Sequence, residues 1–203
     1  RGEAILVAKD SPLKAVADLK GKKVALNKGS NVHYLLVKAL ERTGVKYAEI
    51  QAVFLAPADA RAAFERGAVD AWVIWDPYLA AAEAATGART LSDGGGLVAN
   101  TQFYLGARGF VAASPQVLDA VLAELREVDA WAKRDIAAVA AQLSPAIGIP
   151  APIVEVALKR QSYGIKPIDA AALAEQQKIA DAFGQLGLLP APIKVANATR
   201  SAP

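Results

Sequence analysis

The sequence predicts an α/β fold: a parallel sheet whose strands alternate with single helices on short loops, followed by a mainly helical second half. Three observations predict it. Between residues 20 and 92 short apolar runs alternate with amphipathic segments, the pattern of strands joined by right-handed crossover helices. Gly44 and Gly67 stand where those helices should stop. After Gly94-Gly95-Gly96 the alternation ends, and long helical stripes take over.

Taken in order, Ala4 to Ala8 is an apolar run that reads as a strand with no partner before it, and Ser11-Pro12 marks a turn. A short helical segment runs from Ala15 to Leu19, and Lys23 to Leu26 is the next strand. A helix follows the loop Asn27-Lys28-Gly29-Ser30, burying Leu35, Leu36, Ala39 and Leu40 on one stripe. Ile50 to Leu55 reads as a buried strand, and Pro57 to Arg66 as a helix with proline in its first turn. Ala71 to Trp75 is a further strand, Asp76-Pro77 a turn, Tyr78 to Thr86 a helix and Arg89 to Leu91 a short strand. Thr101 to Ala107 is expected to be a strand. Beyond it, helices are expected over Pro115–Lys133, Ala151–Gln161 and Asp169–Leu186. The first carries Leu118, Val121, Leu122, Leu125, Val128 and Ala132 on one face; the last aligns Ala172, Ile179, Phe183 and Leu186. These faces need something apolar to cover, and too few strands accompany them.

Composition narrows the function. The 203 residues are 54% hydrophobic and 21% charged, which excludes a disordered chain. A net charge of +3 from scattered lysines and arginines does not point to nucleic acid. With no cysteine and a single histidine, thiol catalysis, zinc ribbons and disulfide frameworks are excluded, and neither a metal nor a cofactor is expected. The uncharged stretch from Ile136 to Val154 is long enough to span a bilayer, but Pro145, Gly148, Pro150 and Pro152 would break its helix. The chain opens Arg1-Gly2-Glu3 without an apolar leader, so a leader has been removed or the chain starts part-way through a longer one.

In an open parallel sheet ligands bind beyond the carboxyl ends of the strands. Three loops lie there: Asn27 to Asn31, Ala56 to Asp59, and Trp75 to Tyr78. In the first, Gly29 lets the backbone approach closely, Ser30 can cap the helix, and the helix start together with Lys28 favours an anion. A tetrahedral group with three acceptor oxygens suits such donors; an ordinary capped helix is the other reading. In the third, Trp75 can wall a ligand, Asp76 can accept from a ligand or cap the following helix, and Tyr78 offers a ring and a hydroxyl. His33 reads either as a group at the same mouth or as packing. Asp59 and Arg61 are expected at helix capping and surface pairing, and Phe64, Trp72 and Trp131 in packing. The nucleophile elbow, the Walker phosphate loop, the dinucleotide glycine pattern and metal-ligand spacing are absent from the sequence, so a binding module is favoured over an enzyme.

Four segments together resemble one family: Leu19 to Ala25 (LKGKKVA), Lys28 to Leu36 (KGSNVHYLL), Pro57 to Phe64 (PADARAAF) and Val69 to Tyr78 (VDAWVIWDPY). They are similar to the aliphatic sulfonate-binding proteins of bacterial ABC importers, in the sulfonate, taurine and nitrate group. The resemblance extends over essentially the whole chain, through Phe103-Tyr104-Leu105 and Ser162-Tyr163-Gly164. It implies a type II periplasmic binding fold, with one complete α/β lobe and an incomplete, mainly helical remainder of the other. Residues 1–14 would be a crossover strand and hinge, 15–100 the complete lobe, 101–196 the return crossover and helical part of lobe 1, and 197–203 a tail. The family's opening half-lobe is not in this sequence. The resemblance further implies a periplasmic protein that binds an alkanesulfonate, or a taurine- or nitrate-like anion, between its lobes and delivers it to an ABC permease. Ser30 and Asn31 would then give donors to the sulfonate oxygens, and Trp75, Asp76 and Tyr78 would shape the rest of the pocket, with Lys28 and His33 behind them. Self-association through the incomplete lobe is a further expectation. The alternatives are the effector-sensing domain of a LysR-type transcription regulator, to be told apart by the upstream gene sequence, and an enzyme resembling a thiamine-precursor synthase, disfavoured by the missing cysteine.

Overall fold

A computed structural model of the chain describes residues 2–199. Contacts divide it into two compact units, residues 1–100 with 140–161, and residues 101–139 with 162–203.

The first unit is built on a five-stranded sheet. Its strands are β1 (Glu3–Val7), β2 (Lys23–Leu26), β3 (Gln51–Phe54), β4 (Ala71–Trp75) and β5 (Arg89–Asp93), in the order β3-β2-β4-β1-β5. Strands β3, β2 and β4 are mutually parallel, as their single-helix connections require. The sheet is nevertheless mixed, because β1 runs antiparallel between β4 and β5. The expected parallel sheet is present in β3, β2 and β4, and the opening strand, which has no partner before it in the chain, joins it antiparallel between the later strands β4 and β5. Strand β3 is not buried as expected; at the sheet edge, Gln51 and Phe54 stay exposed.

Side chains alternate between the two faces, and each face has its own cover. Ile5, Val7, Val24, Leu26 and Val73 point to one side, where helix α1 (Asn31–Thr43) lays Leu35, Leu36, Ala39 and Leu40 on them. Ala4, Leu6, Ala25, Trp72 and Ile74 point to the other. There Ala60, Ala63 and Phe64 of α2 (Pro57–Glu65) and Leu79 and Ala82 of α3 (Tyr78–Thr86) close the core. Phe64 and Trp72 are core, as expected, with rings 5.9 Å apart. Gly44 ends α1 in the left-handed region at φ 75°, where a Cβ would be strained, and its amide reaches back to Leu40 and Glu41.

Four more features differ from the expectation. Helices α4 (Arg108–Ala113) and α6 (Ile136–Ile147) are additional, the latter tolerating Pro145 inside it. Residues 101–107 form no strand: Tyr104 is 64% and Leu105 94% exposed, and the segment pairs with none of the described strands. The segment 140–161, expected in the return to lobe 1, belongs instead to the sheet unit. Its helix α7 (Ala151–Arg160) buries Val154, Ala157 and Leu158 and lies against α3. Helices α6 and α7 meet at 118°, and no single helix among the described residues is long and apolar enough to cross a membrane.

The second unit contains α4, α5 (Pro115–Arg134), α8 (Ala170–Gln185) and the start of α6. Asp169 caps α8 by accepting from the Ala172 amide at 2.8 Å. The Gln177 side chain ties α8 to Ile193 and Val195. Helix α5 has no buried residue, and Val121 and Val128 on its expected apolar face are 46% and 53% exposed. Trp131 is half-buried, in keeping with packing. Of the expected tail, residues 197–199 finish a short 3-10 turn and 200–203 lie outside the described residues.

Candidate functional site

The carboxyl ends of β2 and β4, with the loops that leave them, gather several of the polar groups singled out from the sequence. Because β1 runs the other way, its first residue, Glu3, is brought to the same end, in register with Trp75. Asp76 follows on, its amide donating to the Gly2 carbonyl at 2.8 Å.

Ser30 occupies the N-cap position of α1, but its side chain makes no cap hydrogen bond. Its hydroxyl donates back to the Asn27 carbonyl at 2.7 Å, closing the turn. The O–H is therefore engaged in the turn and does not cap the helix. The Asn31 amide nitrogen is likewise engaged, donating to Glu3 Oε2 at 2.7 Å and to Asn100 Oδ1 at 3.2 Å. What the turn still offers are backbone donors: a helix start leaves its first amides without intrahelical acceptors, here those of Asn31 and Val32. They carry the positive end of the helix dipole, and α1 has no acidic residue in its first turn to offset it.

His33 is packed within the unit. It is 1% exposed, and its Nδ1 accepts the Gly29 amide proton at 3.1 Å. A backbone amide can only donate, so Nδ1 is unprotonated and Nε2 donates to Tyr47 Oη at 2.9 Å. Burial, and secondarily the Lys28 charge, holds the ring below the usual histidine range, so it stays neutral. Tyr47, on a short 3-10 segment, is pushed up to about 12 by its own burial. Lys28 leans over the Phe54 ring, 5.4 Å from its centroid, and stands at the edge of the loop.

At the third loop Trp75 is half-buried and meets the Tyr78 ring edge-on, centroids 6.3 Å apart, with Tyr78 39% exposed. Together they make a continuous aromatic surface. Asp76 is turned inwards instead, its side chain 2% exposed. Pro77, not Asp76, takes the N-cap position of α3; Asp76 Oδ1 reaches one residue further to accept from the Ala80 amide at 3.0 Å. Arg160 of α7 approaches the same oxygen at 3.4 Å and pairs with Glu83 Oε2 at 2.5 Å. Burial raises the Asp76 pKa, opposed chiefly by Arg160. At the second loop α2 has no side-chain cap, and Asp59 only occupies its first turn. Arg61 pairs with Glu65 at 2.7 Å, as expected of a surface pair.

Glu3, Asn100 and Arg160 were not visible as site residues in the sequence. For Glu3 one signal existed, a lone acid at the head of an apolar run; for Asn100 and Arg160 there was none. No group of three or more metal-binding side chains occurs among the described residues.

Residues 2–133 match the family model described as NMT1/THI5 like. The chain is 44% identical over 196 residues to an aliphatic sulfonates-binding protein of Escherichia coli (strain K12), covering 96% of this chain. It spans 61% of that relative's length, about three fifths. The crystal structure of the periplasmic aliphatic sulphonate binding protein SsuA from Escherichia coli superposes with TM-score 0.92 at 43% identity, over 98% of this chain and 65% of that one. The alkanesulfonate-binding protein SsuA from Xanthomonas axonopodis pv. citri, bound to MOPS, superposes with TM-score 0.89 at 39% identity, over 97% of this chain and 68% of that one.

Proposed function

The chain belongs to the NMT1/THI5-like family, and from that premise we propose that it is the solute-binding component of an ABC importer for an aliphatic sulfonate. The observation that carries this reading is the likeness, in sequence and over nearly the whole chain, to two SsuA structures, one of an aliphatic sulphonate binding protein and one of an alkanesulfonate-binding protein. The site chemistry agrees with it. A sulfonate brings three acceptor oxygens and one negative charge, and the Asn31 and Val32 amides at the head of α1 bring oriented donors without a competing carboxylate in that turn. The Trp75–Tyr78 surface suits the alkyl or ring portion of such a ligand.

In this proposal the anion is held by backbone donors, with the Ser30 side chain shaping the turn and Asn31 held in place by Glu3 and Asn100. Asp76 braces α3 against α7 rather than touching the ligand. No step makes or breaks a covalent bond, and the activity is binding and release. A periplasmic location, delivery to a cognate membrane permease and closure of a second lobe over the anion belong to the same proposal. So does self-association, supported by the open apolar residues of α5. The LysR-type alternative has no observation in its favour.

Calorimetry on the full-length polypeptide tests the reading. Ethanesulfonate and longer alkanesulfonates are expected to bind with 1:1 stoichiometry and taurine or nitrate more weakly; absence of heat with every sulfonate overturns it.

A further inference from the structure

Glu3 is the acid that the binding reading leaves unused. It is 1% exposed, at the first position of β1. Oε2 accepts from Asn31 Nδ2 at 2.7 Å, and Oε1 is buried with no hydrogen-bond partner among the described residues. Gly94 passes so close that a Cβ there would lie 3.2 Å from Oε1, so the backbone itself seals the carboxyl from solvent. An ionised carboxylate in that position would have one oxygen unsolvated and would sit beside the residue that opens α1.

We propose that Glu3 is a positioning and charge-selecting residue of the anion site: in its neutral form it fixes the Asn31 side chain and lets an anion approach the first turn of α1, and in its ionised form it repels that anion. The inference rests on the sulfonate-binding reading and goes beyond it by naming the group that sets its pH range.

The charged groups around Glu3 do not replace it in this role. Beyond the end of β4, Asp76 is turned to Ala80 and Arg160. On β5, Asp93 follows Ser92 and accepts from the Gly95 amide. In the loop before α1, Lys28 lies over Phe54, and on α1 itself His33 is neutral. None of them donates to Glu3. Burial dominates, pushing its carboxyl up to about 7 against the opposing hydrogen bond from Asn31 and, less, the positive charge at the chain's amino end. The sign follows: a raised carboxyl is neutral below about pH 7 and ionised above it, so affinity for an anion is full on the acid side and falls as pH rises through that value.

The test is ethanesulfonate calorimetry on the full-length polypeptide and on its Glu3→Gln and Glu3→Ala variants. Gln keeps a carbonyl for Asn31 but cannot ionise. Wild type is expected to lose affinity by roughly tenfold between pH 6 and 8.5, and Glu3→Gln by less than twofold. Glu3→Ala is expected to bind weakly at both, because Asn31 is released. An equal pH slope in wild type and Glu3→Gln, or a flat wild type, overturns the role of Glu3 while leaving sulfonate binding intact. Absence of binding at every pH overturns the transport reading and this inference with it. A ligand-free carbon-13 titration of the Glu3 carboxyl keeps the inference testable should either variant fold poorly: a midpoint near 7 supports it, and one in the ordinary glutamate range overturns it.

Discussion

Helices α1 and α5 are both long and amphipathic, but they end in different circumstances. Helix α1 buries eight residues from Val32 to Leu40, because β1, β2 and β4 present Ile5, Val7, Val24, Leu26 and Val73 to it. Helix α5 runs over twenty residues and buries none. The difference lies in the surface opposite, since an apolar stripe gains its stabilisation from area removed from water and periodicity only prepares it. The sheet unit supplies that surface on both faces; the helical unit, among the described residues, supplies much less.

The comparison can be broken by substitution. The largest effect is expected from Leu35→Ala, which empties a fully buried position between α1 and the sheet. Its cost is about 2–5 kcal/mol in urea unfolding. A loss below about 1 kcal/mol would mean that this face is not the closed core described.

An intermediate effect is expected from Arg160→Ala. The change leaves Asp76 buried with only the Ala80 amide and takes the charged partner from Glu83, which keeps the Thr90 hydroxyl. Because Arg160 is itself one quarter exposed, the expected loss is about 1–3 kcal/mol rather than that of a wholly buried pair. Adding Asp76→Asn should recover part of it. An unchanged unfolding midpoint in Arg160→Ala would show that α7 is not held to α3 through this pair.

The smallest stability effect is expected from Val121→Ser on α5, within about 0.5 kcal/mol. The informative reading there is light scattering: lower association than the parent supports the open-face account of self-association, and a parent that is already a monodisperse monomer removes it.

The same contrast explains how far the sequence could be read. Local signals located β2, α1, α2, β4 and α3 to within a residue or two, because apolar period, Pro57 and Gly44 act inside one element. The direction of β1 could not be read this way, since nothing in Glu3–Val7 distinguishes a parallel from an antiparallel neighbour. The expected strand at 101–107 failed for a related reason: β-forming residues make a strand only where another backbone pairs with them. At the site, loop composition located the turn before α1 and the Trp75–Tyr78 surface. It could not tell that the Ser30 hydroxyl and the Asn31 amide are already engaged, or that Asp76 faces inwards. Those outcomes depend on Asn27, Glu3, Asn100 and Arg160, the last three far away along the chain.

The central claim is that this lobe holds a sulfonate on the backbone donors that begin α1. Amide chemical shifts of the isotope-labelled full-length polypeptide, titrated with ethanesulfonate at pH 6, test it most directly. The account predicts saturable shifts largest at Asn31 and Val32, with smaller ones at the indole N–H of Trp75. Saturable binding that leaves Asn31 and Val32 unmoved would contradict it.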